Sequence, residues 1–213
     1  MNFFDGIKVF KKDSSIRKEL DSVIEKLPNS EDIAKDLLKK LGNKKTKCLF
    51  DEDIKGNYYV YLNDTIYLCN RQNKKDNYER LCVIAHECIH SIQPKWLQKL
   101  NFIFSNLEII FFVLAIILYF LKTTNVFLFS MYIAIAIFSI IPRVVLEIWA
   151  MLNAPKLSKK YLEEKNFEKD DIKKVENVYN FSTKTLMPFA IIQMFFFKLL
   201  RITLIIILNF YKF

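Results

Sequence analysis

Residues 77–93, NYERLCVIAHECIHSIQ, hold both histidines of this 213-residue chain, within the string His86-Glu87-Cys88-Ile89-His90. On a helix, residues four apart share a face, so both imidazoles can reach one metal ion. The glutamate beside the first histidine can take a proton from metal-bound water, which is the H-E-x-x-H arrangement of zinc hydrolases. The pattern predicts a helix over 77–93, with Asp76 and Glu79 as a capping box at its start and Pro94 as its stop.

Upstream, residues 58–62 (YYVYL) and 65–69 (TIYLC), joined at Asn63-Asp64, read as a β-hairpin feeding the motif helix. Residues 13–27 and 30–41 carry apolar side chains at helical spacing. Ser14 or Ser15 and Ser30 are their candidate N-caps, and Gly42 is a candidate stop.

The chain is 52% hydrophobic and 15% aromatic with 3 Gly and 5 Pro, which favours long helices over a loop-rich β fold. Residues 1–101, with 19 Lys/Arg against 15 Asp/Glu, read as a soluble segment; apolar blocks follow. Cys48, Cys69, Cys82 and Cys88 lack C-x-x-C spacing and are expected as reduced thiols. The N-terminal MNFFDGIKVFKKD has no apolar core followed by small residues, so no secretory signal is expected. The net charge of +9 reads as juxtamembrane Lys/Arg, because no basic cluster is interleaved with stacking aromatics. Nucleic acid is therefore not an expected partner.

Residues 102–121 carry one charge, Glu108, and residues 125–141 carry none. Each is near the 17–25 residues that a helix needs to cross a bilayer, and the short link between them predicts a transmembrane hairpin. A third apolar block, 186–210, is broken by Lys198 and Arg201; it either spans with both cations in a polar interior or bends to the interface. The hairpin puts residues before 101 and after 142 on one side. Lys95 and Lys99 on one flank and Arg143, Lys156, Lys159 and Lys160 on the other place that side in the cytoplasm. Trp96 and Trp149 stand where interfacial aromatics are expected.

The fold class is thus a mainly α membrane protein (α+β): a small β-hairpin preceding a zincin-type helix, a transmembrane helical hairpin and a third apolar helix. Its divisions are 1–100, cytoplasmic with the motif helix; 101–142, the hairpin; 143–185, cytoplasmic and helical; and 186–213, transmembrane or interfacial.

Catalytic zinc takes three protein ligands and keeps one position open. His86 and His90 supply two, and with no other histidine the third must be Asp, Glu or Cys. Glu147 is the chosen candidate. It starts a stretch just past the hairpin, on the side of His86 and His90, and Ala150 and Ala154 would let its helix approach the motif helix closely. The plainer reading pairs Glu147 with Arg143, four residues earlier. Glu108 competes, lying about 9 Å into the first apolar helix, where a carboxylate is a functional candidate by default. Cys82 and Cys88 are expected to pack as small hydrophobes.

The stretch 85–93, AHECIHSIQ, resembles the A-H-E-x-G-H-A-x-Q signature of the membrane-bound neutral zinc metallopeptidases, the YugP-type family. That family continues with a transmembrane hairpin and a Pro- and Glu-containing segment that the residues around Pro142, Glu147, Ala150 and Ala154 resemble. The likeness extends over roughly residues 30–201, departing at Ile89, Trp149 and Met151. It implies a membrane-anchored zinc peptidase in which His86, His90 and Glu147 hold Zn²⁺ and Glu87 is the general base. Arg143, Tyr161 and Tyr179 are candidate oxyanion donors. The expected partners are the lipid bilayer and a peptide or membrane-proximal protein substrate. Met151 argues against the class with H-E-x-x-H plus E-x-x-A-D, and the hairpin argues against the cytosolic regulator-cleaving class. The alternative is a catalytically silent membrane partner protein that retains the fold, against which the intact Glu87 argues.

Overall fold

Ser14 opens the described chain as an N-cap, its hydroxyl accepting from the Arg17 amide at 3.2 Å. The computed structural model describes residues 14–70, 74–75, 77–123 and 126–210. Their elements are α1 (Ser15–Glu25), α2 (Ser30–Lys40), β1 (Lys47–Asp51), β2 (Tyr58–Val60), β3 (Thr65–Cys69), α3 (Arg80–Ile92), α4 (Lys95–Phe120), α5 (Val126–Glu164) and α6 (Lys169–Phe210). The chain is mostly helical with one small sheet, and it divides into two units, Met1–Gln93 with Ile148–Met187, and Pro94–Glu147 with Pro188–Phe213.

In the first unit, α2 is capped by Asn29 and not by Ser30: the Asn29 side chain accepts from the Asp32 amide at 2.8 Å, and Ser30 is the first helical residue. Gly42 does end this helix. At φ +71° it enters the left-handed region, where glycine has no Cβ penalty. Its amide bonds Lys39 O and the Asn43 amide bonds Leu38 O, at 3.0 and 2.9 Å, which is the Schellman pattern.

The sheet runs in the order β1-β3-β2, with β2 antiparallel and β1 parallel to β3. The expected hairpin is present but shorter, with residues 61–64 as its turn. Asp64, at φ 49°, closes that turn and accepts hydrogen bonds from Tyr59 OH at 2.7 Å and Thr46 Oγ1 at 2.8 Å. One carboxylate therefore ties the approach to β1 to the β2–β3 turn. The expectation omitted β1, because its register is set by a partner 18 positions away, Lys47 opposite Thr65.

The motif helix begins at Arg80, three residues later than its pattern suggested. Glu79 precedes it with no side-chain cap bond, and Asp76, the other half of the expected capping box, lies outside the described residues. The buried Arg80 guanidinium instead donates to Ile24 O, closing the end of α1 at 2.8 Å. Asn43 locks the far end of α3, its amide nitrogen donating to Ser91 Oγ at 3.0 Å and to Thr46 Oγ1 at 2.7 Å.

One apolar core collects Leu20 and Ile24 of α1, Ile33 and Leu37 of α2, Ile66 and Leu68 of β3, and Ile84, Ala85 and Cys88 of α3. Ala150, Ala154 and Tyr161 of α5 and Val175, Val178 and Tyr179 of α6 complete it. Cys88 packs as expected, its thiol against Ala34 O.

In the second unit, stretches of α4, α5 and α6 are long and apolar enough to cross a membrane. Only 11%, 28% and 12% of their most apolar windows are buried, so their apolar side chains face outward, as lipid-facing surfaces do. The apolar run that ends at residue 141 does not end its helix: α5 runs unbroken through Pro142 and Pro155 to Glu164. At Pro142, beside the apolar stretch, helix satisfies the chain's own backbone polar groups in an apolar medium, and this outweighs the bond the proline removes. Likewise α6 continues through Pro188.

Ala115, Phe129, Tyr132, Ala136 and Ile205 form this unit's buried centre. Within it Arg201 binds Glu108 in bidentate fashion, Nε to Oε1 at 2.9 Å and Nη2 to Oε2 at 2.8 Å. Tyr132 OH donates to the same carboxylate at 3.1 Å, and Lys198 donates to Ser139 Oγ at 2.7 Å. Both cations of the third apolar block thus have polar partners within this unit.

Candidate metal centre

His86 and His90 lie one turn apart on α3, with Nε2 atoms 3.0 Å apart. Their rings meet edge to face, centroids 4.6 Å apart. Two nitrogens on a tetrahedral ion at 2.0–2.1 Å stand about 3.4 Å apart, so a shift of a few tenths of an ångström would seat one. The Glu147 carboxylate joins them: one ligand atom from each of the three residues falls within 4.8 Å of the others.

Helix periodicity explains how a residue 57 positions past His90 arrives there. Positions 147, 150, 151 and 154 share one face of α5. Ala150 and Ala154, 0% and 1% exposed, are embedded in the first unit's core. Glu147 adjoins the boundary between the units, but unbroken helix joins it to Ala150, so the packing of the alanines carries it.

Among the ligand candidates, His90 and Glu147 each have an orienting neighbour. His90 Nδ1 lies 2.8 Å from Gln93 Oε1, and Gln93 is itself buried. A carboxamide oxygen only accepts, so Nδ1 carries the proton and the His90 Nε2 lone pair is left for a ligand role. Arg143 Nη2 pairs with Glu147 Oε1 at 2.8 Å. The expected alternative for Glu147, an ion pair with Arg143, therefore coexists with its place in the cluster. The guanidinium offsets the charge of a carboxylate that is only 6% exposed. Glu87, 7% exposed, follows His86 on α3.

The donor set fits a metal ion. Two imidazoles and one carboxylate suit first-row divalent ions, zinc among them. Glu108 is not part of this cluster; it is 0% exposed and held by Arg201 and Tyr132. Of the expected oxyanion donors, Tyr161 OH is engaged by Asp36 Oδ2 at 3.3 Å and Tyr179 OH by Tyr78 O. Arg143 is half-exposed and has donors beyond the one that Glu147 receives.

Beside His86 lies a cavity of about 300 Å³, its walls including Cys82, Met151, Tyr179, Ser182 and Met187. The sequence reading missed it, since its walls come from three helices far apart in the chain. Burial pushes the Cys82 thiol up to about 12, which makes it an inert wall and not a nucleophile.

No protein-family model, curated protein or solved structure matches the chain.

Proposed function

We propose that this chain is a membrane-anchored zinc metallopeptidase, with His86, His90 and Glu147 as metal ligands and Glu87 as general base. The observation that carries this reading is the convergence of those three donors beside a buried glutamate. The zincin-type placement of Glu87 and the resemblance of residues 85–93 to the neutral zinc metallopeptidases support it further.

A Zn²⁺ ion held there would polarise a peptide carbonyl and lower the pKa of a water molecule from 15.7 to about 7. Glu87 accepts the proton released as water attacks the carbonyl carbon and delivers it to the departing amine. His90 is held in one tautomer by Gln93. Arg143 orients Glu147 and is the side chain best suited to meet negative charge developing on the carbonyl oxygen. The positively charged flanks support a cytoplasmic site on a cell membrane crossed several times, with a peptide or a membrane-proximal protein as its substrate.

Zinc analysis of the purified full chain tests the reading, using wild type, Glu147→Gln and Glu108→Gln. One zinc per chain is expected in wild type and in Glu108→Gln, with a large loss in Glu147→Gln. Peptide cleavage is expected in wild type and not in Glu87→Gln, which should keep its zinc. Loss of zinc in Glu108→Gln alone would overturn the ligand set, and turnover by Glu87→Gln at the wild-type rate would overturn the mechanism.

A further inference from the structure

The cavity beside His86 has a chemical character of its own. Val83, Met151, Leu186 and Met187 give it apolar walls, and the Cys82 thiol stays uncharged there. The one carboxylate among the described residues that line it, Glu79, is exposed and accepts from Tyr78 OH at 2.9 Å. A pocket of 150 Å³ in a protein core holds a benzene molecule, and this one, at about 300 Å³, is twice that size. Small side chains would leave it largely unfilled. Charged ones would be desolvated against carbon and sulfur.

One wall residue departs from this pattern. Ser182 Oγ is buried and makes no hydrogen bond, although serine on a helix commonly turns back to a carbonyl four residues earlier. Such a hydroxyl is normally satisfied by some partner, and here Ser182 is among the residues that line the cavity.

We infer that the cavity is the specificity pocket for a bulky aromatic residue flanking the scissile bond, and that Ser182 selects tyrosine or tryptophan over phenylalanine by hydrogen-bonding the polar atom at the tip of the ring. The inference rests on the peptidase reading above, because the shared wall at His86 is what puts a substrate side chain within reach.

The test measures binding, so that it stands apart from turnover. Fluorescein-labelled peptides differing at one central residue (Tyr, Phe, Ala or Asp) are titrated by anisotropy against the zinc-loaded full-length Glu87→Gln variant in detergent. Tyr should bind about fivefold tighter than Phe, the contribution of one net hydrogen bond, and Phe at least tenfold tighter than Ala or Asp. Ser182→Ala should equalise Tyr and Phe while leaving Ala unchanged. Met151→Phe and, as a second filling variant, Met187→Phe should weaken Tyr and Phe at least tenfold at unchanged zinc content. Equal binding of all four peptides, binding of none, or filling variants that leave the order intact would each overturn the inference. Selective binding without cleavage by wild type would uphold the pocket and sink the peptidase reading. Cleavage without aromatic preference would do the reverse.

Discussion

Gln93 Oε1 accepts from His90 Nδ1 at 2.8 Å, from a position 2% exposed and one turn beyond the candidate ligand it orients. Such orienting partners set both the tautomer and the basicity of a metal-bound imidazole. Gln93→Leu should therefore lower zinc affinity about 10–100-fold, measured by competition with a chromophoric chelator, while the helical circular dichroism stays unchanged. Unaltered affinity would show that the bond is incidental.

Glu108 and Arg201 make the corresponding test of the apolar unit. Removing one partner of a buried pair strands the other, at about 3–5 kcal/mol, whereas replacing both with apolar residues is often close to neutral. Glu108→Leu and Arg201→Leu should each sharply lower thermal stability in detergent, and the double variant should recover most of the loss. Strictly additive losses in the double variant would refute the pairing.

Asp36 offers a pH dependence. The hydrogen bond from Lys165 Nζ, with help from Tyr161, holds its carboxyl below the ordinary 3.8. A lowered folded-state value means that the stabilisation is present above about pH 4 and is lost as pH falls through the folded value. Both side chains are about 40% exposed (45% and 41%), so screening limits the contribution to about 0–1 kcal/mol. Asp36→Asn should thus be slightly less stable than wild type at pH 7 and indistinguishable from it near pH 2, by thermal unfolding in detergent. A gap that widens toward acid would contradict this.

Cys48 sits half-buried on β1, and desolvation pushes its thiol up from 9.0 to about 11. Since the thiolate is the reactive form, alkylation by iodoacetamide at pH 7.5 should be about a hundredfold slower in the folded chain than in urea. Mass spectrometry of the labelled peptides reads the rates, and equal rates would mean that the site is solvated.

The elements legible beforehand were those whose signal lies within one turn or one apolar run. His86, Glu87 and His90 share a helix, so their spacing alone implied their juxtaposition, and hydropathy marked the three apolar helices. Gly42 and Ser14 were readable as helix ends because caps depend on the residues beside them. The start of α3 was misplaced because Arg80, bonded to Ile24 O 56 positions earlier, begins it where a local capping pattern pointed elsewhere. Strand β1 was invisible for the same reason: its partner is distant.

What the amino-acid order determined by itself was a two-histidine, one-glutamate motif, and that any third side-chain ligand to those histidines would be acidic or a thiol. Which carboxylate, Glu147 or Glu108, lies beside the histidines belonged to the tertiary structure. Glu108 is claimed by Arg201, 93 residues later, while Ala150 and Ala154 are small enough to be buried completely and so bring Glu147 to the histidines. A carboxylate's role follows from which partner reaches it first in space, and chain separation carries no record of that.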